Sequence, residues 1–253
     1  MLRWTAALAV VALSTCTQVG TDPAAVVALV FGALPYPAVV SGDTLRDESG
    51  VAAPLVGVPL NSAGDPVTGA RVQFLALDPG VTISEDGIVV STDTAGTTIR
   101  LLAQVGALQS RPLSLFVTAS PDSAARDGTV DTLRYVIPDA SSNLSGAIAI
   151  RVLSNAATPP RGVRGWLVRY SVEYRGTTLP PGDDTLAWFV DESSRRSAVD
   201  TTGTDGRASR RLRVVSTALA SAADSLLVTA TVTARSAPLA GTPLRIVVQV
   251  RPQ

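Results

Sequence analysis

The chain contains no histidine, and that absence bounds its chemistry before any motif is read. It removes the commonest general base and the commonest metal ligand. Ser-His-Asp and Cys-His catalysis go with it, as do histidine-containing zinc sites. Carboxylates, arginines and a few aromatic residues remain. Asp183, Asp184, Asp191 and Glu192 gather around a Pro-Gly turn. Calcium takes about six to eight oxygen ligands, often from such loops, but EF-hand spacing is missing and a solvated loop is expected. Two carboxylates at the right separation could hydrolyse a glycosidic bond, yet nothing signals an aromatic-lined cleft around these. Trp166, Tyr170 and Tyr174 could stack on a sugar, but they share one strand face with Val168 and Val172, which points them into a core. Trp188 and Phe189 are adjacent and take opposite faces of an extended chain. Arg195-Arg196 and Arg210-Arg211-Leu212-Arg213 form basic patches. Leu212 and Val214 face inward while Arg211 and Arg213 face out, as on a solvated strand, where exposed arginines also discourage edge-to-edge pairing. Contact with an acidic polysaccharide is the other reading of these patches. No Gly-rich phosphate loop, zinc motif or nucleophile elbow occurs. No catalytic, cofactor-binding or metal-binding residue is assigned, and the chain is expected not to be an enzyme.

The composition narrows the architecture that would carry these residues. Hydrophobic residues make up 46% of the 253-residue chain but aromatics only 4%, so the cores must be built from Val, Leu, Ile and Ala. The 20 glycines and 17 prolines are spread along the chain, which suits many short strands separated by turns. Basic and acidic residues number 21 each, and every basic residue is Arg. This balance gives no footprint for nucleic acid and no polybasic stretch for an anionic membrane. The single Cys rules out an internal disulfide, so stability must come from packing.

The N-terminus reads as an address. Arg3 precedes an apolar run from Thr5 to Leu13, too short for the ~20 residues that cross a bilayer but of the length of a signal-peptide core. Leu13-Ser14-Thr15-Cys16 resembles a bacterial lipobox, in which the Cys is acylated and becomes the new N-terminus. An ordinary secretory signal with an incidental Cys is the alternative. The resemblance implies residues 1–15 as a lipoprotein signal peptide, Cys16 as the lipidation site and residues 16–23 as a tether. Removing Arg3 with the signal leaves 20 basic against 21 acidic residues, a mature charge of −1. An acyl chain contributes ~0.8 kcal/mol per buried CH2, so a multiply acylated Cys would act as a durable anchor.

From residue 24 onward the dominant pattern is alternation with period two, the mark of strands with one face in a core. Val72 and Phe74 oppose Arg71 and Gln73. Ile99, Leu101, Ala103 and Val105 form one inward row, and Leu113, Leu115 and Val117 another. In the second half the inward rows are Leu226, Val228, Ala230 and Val232, then Leu244, Ile246, Val248 and Val250. The apolar run Ala24 to Leu34 reads as a first strand with its exit turn, and Ser216 to Asp224 as one or two helical turns. No segment sustains a 3.6-residue period. The stretch 120–128 has no apolar periodicity, and a boundary falls there. The fold class is therefore all-β: two tandem Ig-like β-sandwiches at residues 24–120 and 129–253, joined by a linker at 121–128.

The two halves share an order of elements, and the first carries a family pattern. Ser41-Gly42-Asp43, then Gly64-Asp65-Pro66-Val67-Thr68-Gly69 leading into Ala70-Arg71-Val72-Gln73-Phe74, then Thr92-Asp93-Thr94-Ala95-Gly96, resembles the bacterial Ig-like group 1 domain of invasin- and intimin-type proteins. Gly162-Val163-Arg164-Gly165 before Trp166, with Thr204-Asp205-Gly206-Arg207-Ala208, is a weaker match. These motifs are turn chemistry, informative about fold rather than activity. The resemblance implies stalks, spacers and adhesive modules, and it carries no catalytic residues. The expectation is a non-enzymatic envelope lipoprotein, a spacer or protein-interaction module held to a membrane through its lipid. It would be exported and sit at the outer membrane, facing periplasm or cell surface. Its partner would be an envelope protein or a polysaccharide, with no nucleic acid, cofactor or metal. The alternatives are a carbohydrate-binding or adhesive surface protein and, third, a small periplasmic hydrolase.

Overall fold

The computed structural model describes residues 25–128, 132–135 and 143–253. Cys16, the signal peptide and the tether lie outside the described residues. What is described is almost entirely strand and turn, as an all-β fold requires.

Residues 28–118 hold β1 (Ala28–Phe31), β2 (Ala38–Val40), β3 (Gly57–Leu60), β4 (Gln73–Ala76), β5 (Val81–Ile83), β6 (Val89–Ser91), β7 (Thr98–Val105), β8 (Leu108–Gln109) and β9 (Leu113–Thr118). One sheet runs β2-β9-β7-β4, with β8 on β7. The pairs β1-β3 and β5-β6 complete this half. β2 runs parallel to β9, and the other pairings are antiparallel. Ile99, Leu101 and Leu115 form the buried centre, and Phe31 meets Phe74 across the layers at 5.6 Å. The apolar segment from Ala53 becomes strand only at Gly57. Before it, Leu55 is buried while Val51 and Val56 are exposed.

Residues 123–252 hold β10 (Ser123–Asp127), β11 (Thr132–Tyr135), β12 (Leu144–Ser154), β13 (Arg161–Gly162), β14 (Leu167–Tyr174), β15 (Thr177–Thr178), β16 (Ala187–Val190), β17 (Val199–Thr201), β18 (Arg207–Val214), β19 (Asp224–Thr231), β20 (Thr233–Ala234), β21 (Ala237–Pro238) and β22 (Leu244–Pro252). One sheet is β10-β12-β18-β16 and the other β11-β22-β19-β14-β15. The expected inward rows on β14, β19 and β22 are buried: Val168, Tyr170, Leu226, Val228, Ile246 and Val248 pack together. Tyr170 and Phe189 meet between the sheets at 5.6 Å. The helical turn expected near residue 216 is a single 3-10 turn, Ser216–Ala218.

Among the described residues, every ladder pairs two strands of the same half. The expected linker at 121–128 is corrected. Residues Ser123–Asp127 are strand β10, paired antiparallel with β12 from Ser123↔Leu153 to Asp127↔Ala149. The strand hides from pattern reading because its only inward residue is small: Ala124 is buried, and its N–H reaches Ala240 O at 2.9 Å. Long-range pairing holds this strand where local hydrophobicity does not announce it.

Candidate functional site

The residues singled out by chemistry resolve into structural roles. In the acidic cluster, Asp183 accepts the N–H and hydroxyl of Thr185 at 2.8 and 2.7 Å. These bonds, led by the Thr185 N–H, hold its carboxyl below the ordinary range. Asp191 accepts the Arg195 N–H at 2.8 Å and its guanidinium at 3.1 Å, and Asp184 pairs with Arg196 at 3.1 Å. Each of these three carboxylates closes its own turn or neutralises a neighbour. Among the described residues no group of three acidic, Cys or His side chains converges as a metal site would require. Arg196 also lies over Trp188, 4.7 Å from the ring centroid, so that face of the indole is covered.

Of the three strand aromatics, Tyr170 is core, its hydroxyl donating to Ala208 O at 3.1 Å. Burial pushes its phenol upward. Tyr174 donates to Asp224 at 2.8 Å. Trp166 does something the sequence did not signal: it stands where the two halves meet.

The second basic patch also needs correction. Arg211 and Arg213 lie on the outward parity of β18, but Arg210 shares the inward parity with Leu212 and is only 9% exposed. A buried guanidinium is costly unless its donors are matched. Arg210 donates to Ser197 O at 3.0 Å, to Ser209 O at 2.9 Å and to Val199 O, and pairs with Asp200 at 2.8 Å. It crosslinks β18 to β17 and to Ser197 just before it, and is structural.

The place where distant residues converge is the junction between the halves. Tyr36, set between Pro35 and Pro37, enters it just before β2. Its ring lies 5.1 Å from Trp166, and its hydroxyl accepts the Leu167 N–H at 2.8 Å across 131 residues of sequence. Burial pushes the phenol up to about 12, outweighing the Leu167 bond and the charge of Arg169. Trp166 donates its indole N–H to Thr233 O at 2.9 Å and its backbone N–H to the Thr202 hydroxyl oxygen at 2.8 Å. Arg164 lies over Phe116, 3.8 Å from the ring centroid. At Gly165 a Cβ would come within 2.8 Å of Ala38 Cβ, so a side chain there would push the halves apart.

A second set of contacts closes the same junction. The β20–β21 hairpin presents Arg235 and Ser236 to the loop at 43–50. Arg235 pairs with Asp43 at 2.9 Å, and the Ser236 hydroxyl donates to Ser49 O. Arg169 pairs with Glu48. Asp43 is also held by Arg46 at 3.2 Å and by the Thr44 N–H at 2.8 Å. Partial burial raises the Asp43 carboxyl, but the Arg46, Thr44 and Arg235 contacts outweigh it, and the net shift is downward. Between the two sets lies a cavity of about 170 Å3 lined by Tyr36, Asp43, Arg46, Trp166 and Arg235. Most of its donors, acceptors and aromatic faces satisfy one another, the buried Arg46 Nε being without a partner. Chemically it is a set of contacts that joins the two halves.

No protein-family model matches the chain, and no curated protein matches it. Similar solved structures include the adhesin InvE of Yersinia pseudotuberculosis, at 14% identity over 88% of this chain and 58% of that one, with a TM-score of 0.34. Invasin, described as a bacterial integrin-binding protein, aligns at 16% identity over 88% of this chain and 40% of its own, TM-score 0.30. The EC1-2 fragment of human protocadherin-24 aligns at 13% identity over 89% of this chain and 98% of that fragment, TM-score 0.27. The chain thus spans about three fifths of the adhesin and two fifths of the invasin structure. Its fold is all-β, and its structural neighbours include adhesin, cadherin, surface-layer and alpha-2-macroglobulin chains.

Proposed function

We propose that this chain is a non-catalytic, rigid spacer or interaction module of two Ig-like sandwiches, residues 25–120 and 121–253, exported and held at a bacterial envelope membrane through acylated Cys16. The observation that carries the reading is the junction. Trp166, Leu167, Arg164 and the Arg235-Ser236 turn of the second half engage Tyr36, Phe116 and the 43–50 loop of the first through ring contacts, a backbone-to-hydroxyl hydrogen bond and ion pairs. A connection meant only to be flexible would leave exposed, polar chain between its modules. Here the chain passes from Thr118 in β9 to Ser123 in β10 with four residues between, and the surfaces on either side are in contact.

The experiment is a dipolar distance measurement on the detergent-extracted full chain, with spin labels at the exposed positions Thr82 and Thr177. A rigid spacer gives one narrow distance distribution. A broad one overturns the rigid reading. The anchor is tested separately: Cys16→Ser abolishes incorporation of labelled palmitate, and equal labelling of the variant defeats the lipoprotein reading.

A further inference from the structure

A second cleft opens at the junction, bounded by the 95–97 turn, the end of β9 and the segment carrying β13. Its volume is about 470 Å3, many times the ~30 Å3 that one water occupies in the liquid. Two cationic side chains line it, Arg161 and Arg164, together with the hydroxyl-bearing residues Thr97, Thr118, Ser154 and Thr204. Among the described residues no carboxylate lines it. The nearby acids are engaged with neighbouring groups of the protein. Asp122 accepts the Asn155 N–H at 2.7 Å, and Asp205 accepts the Arg207 N–H at 3.0 Å.

Many arginines of the molecule are neutralised. Arg46, Arg100, Arg151, Arg207 and Arg235 each meet a carboxylate. Arg161 and Arg164 meet none among the described residues. Arg164 instead rests on Phe116, its guanidinium carbon 3.8 Å from the ring centroid. A cation held over a ring in this way is positioned without a carboxylate partner, and its N–H donors stay available for a two-point bond to a planar anion. Arg161 is placed by backbone rather than by a partner: β13 pairs with the end of β12, Arg161 opposite Ser154, and the Val163 N–H bonds Val152 O at 2.9 Å.

We infer that this cleft binds a carboxylated saccharide, a uronate-bearing segment of an acidic polysaccharide. Two arginines at one mouth select the carboxylate through paired N–H donors. The cleft is too large to be filled by an isolated anion. Thr118 and Ser154 are buried, but Thr204 is exposed and Thr97, which donates to Thr94 O at 3.3 Å, keeps an oxygen able to accept, and these two hydroxyls suit a ligand that is itself polyhydroxylated. Arg161 and Arg164 sit three residues apart on the second half, and the contact of Arg164 with Phe116 places this segment against the first half. The inference does not depend on acylation of Cys16.

The test is affinity electrophoresis of the full chain in detergent through gels containing polygalacturonate, dextran or polyphosphate, with calorimetry on oligogalacturonate for the dissociation constant. The expected result is retardation by polygalacturonate alone. Affinity falls roughly tenfold or more in Arg161→Ala/Arg164→Ala, since each lost charge-assisted pair is worth on that order. It falls less in Arg161→Lys/Arg164→Lys, which keeps the charge but loses the planar fork. Arg71→Ala, whose arginine pairs with Glu85 on an exposed surface, leaves it unchanged. Arg161→Ala alone serves where the double variant is unfolded by circular dichroism, because Arg161 is exposed. Absence of retardation, retention undiminished in the alanine variants, or equal retention by polyphosphate overturns the inference.

Discussion

Two tight turns in the second half have nearly the same backbone and different surroundings. Arg175-Gly176 joins β14 to β15, with φ of 50° and 82°. Arg235-Ser236 joins β20 to β21, with φ of 49° and 71°. Both are two-residue hairpin connections whose central residues occupy the left-handed region, where Asn-Gly or Asp-Gly is the favoured choice. The first turn follows that preference at its second position and faces open space: a Cβ on Gly176 would meet nothing within 4 Å. The second places Ser where Gly would be unstrained, at a cost of about 1 kcal/mol or more. The difference lies in what each turn touches. Arg235 and Ser236 use their side chains on Asp43 and Ser49, and glycine could make neither contact. Local strain is accepted where it yields contact between the halves.

The sharpest way to break this comparison is from the opposing loop. Gly50 has φ of 79°, and a Cβ on it would lie 2.6 Å from Ser236 N and 2.7 Å from Arg235 C. Gly50→Ala should cost about 2 kcal/mol or more, from the strained backbone and the clash together. It should also broaden the distance distribution between labels at positions 82 and 177. A narrow distribution in this variant would mean that the hairpin is not what holds the angle. Tyr36→Phe is next. It keeps the ring against Trp166 but leaves the Leu167 N–H without its acceptor, for about 1–3 kcal/mol in denaturant unfolding, with broadening of the same distribution. Gly176→Ala should cost about 1 kcal/mol and leave the inter-half distance unchanged, because that turn touches nothing beyond its own sheet.

The smallest effect comes from acid. Asp43 has its carboxyl lowered in the folded chain, so its contribution is present above the ordinary carboxylate value near ~3.9 and is lost as pH falls through the lowered one. Below about pH 4 the Asp43–Arg235 contact should weaken and the distribution widen. The Asp78–Arg100 pair on the first sheet, with Asp78 at about 2, should persist to lower pH. Arg100 chemical shifts that change at the same pH as the inter-half distance would remove the distinction between the two pairs.

The strands of the second sandwich were legible because their alternation is local: β14, β19 and β22 put a Val, Leu or Ile inward at every second residue over eight or nine positions. The core placement of Tyr170 followed from the same period. β10 was not legible, since alanine is its only inward residue. Arg210 was missed because a charged residue between alanine and leucine of one parity reads as an interruption of the row rather than as a buried member. The junction was the least visible part. Tyr36 reads as part of a Pro-flanked turn, and its partners lie 130 residues away. Arg235 and Asp43 are separated by 192. Contacts at that distance leave no period, and their side chains are ordinary surface types until the fold brings them together. The turn motifs that did appear, such as Thr92-Asp93 and Thr204-Asp205-Gly206, form turns and take no part in the clip.

The direction of four strands has a mechanical consequence. In the first half, β2 and β9 run parallel, and in the second β11 runs parallel to β22, with pairing from Thr132↔Gln249 to Tyr135↔Pro252. Once tension along the chain reaches β2 or β11, it enters each half at one end of such a pair and leaves at the opposite end of its partner. The interstrand hydrogen bonds then lie across the force and must yield together in shear, whereas an antiparallel hairpin opens one bond at a time. Resistance to pulling is set by the rate of crossing that barrier rather than by equilibrium stability. Each half is therefore built to carry load along its length through a short parallel clamp, whatever lies at either end of the line.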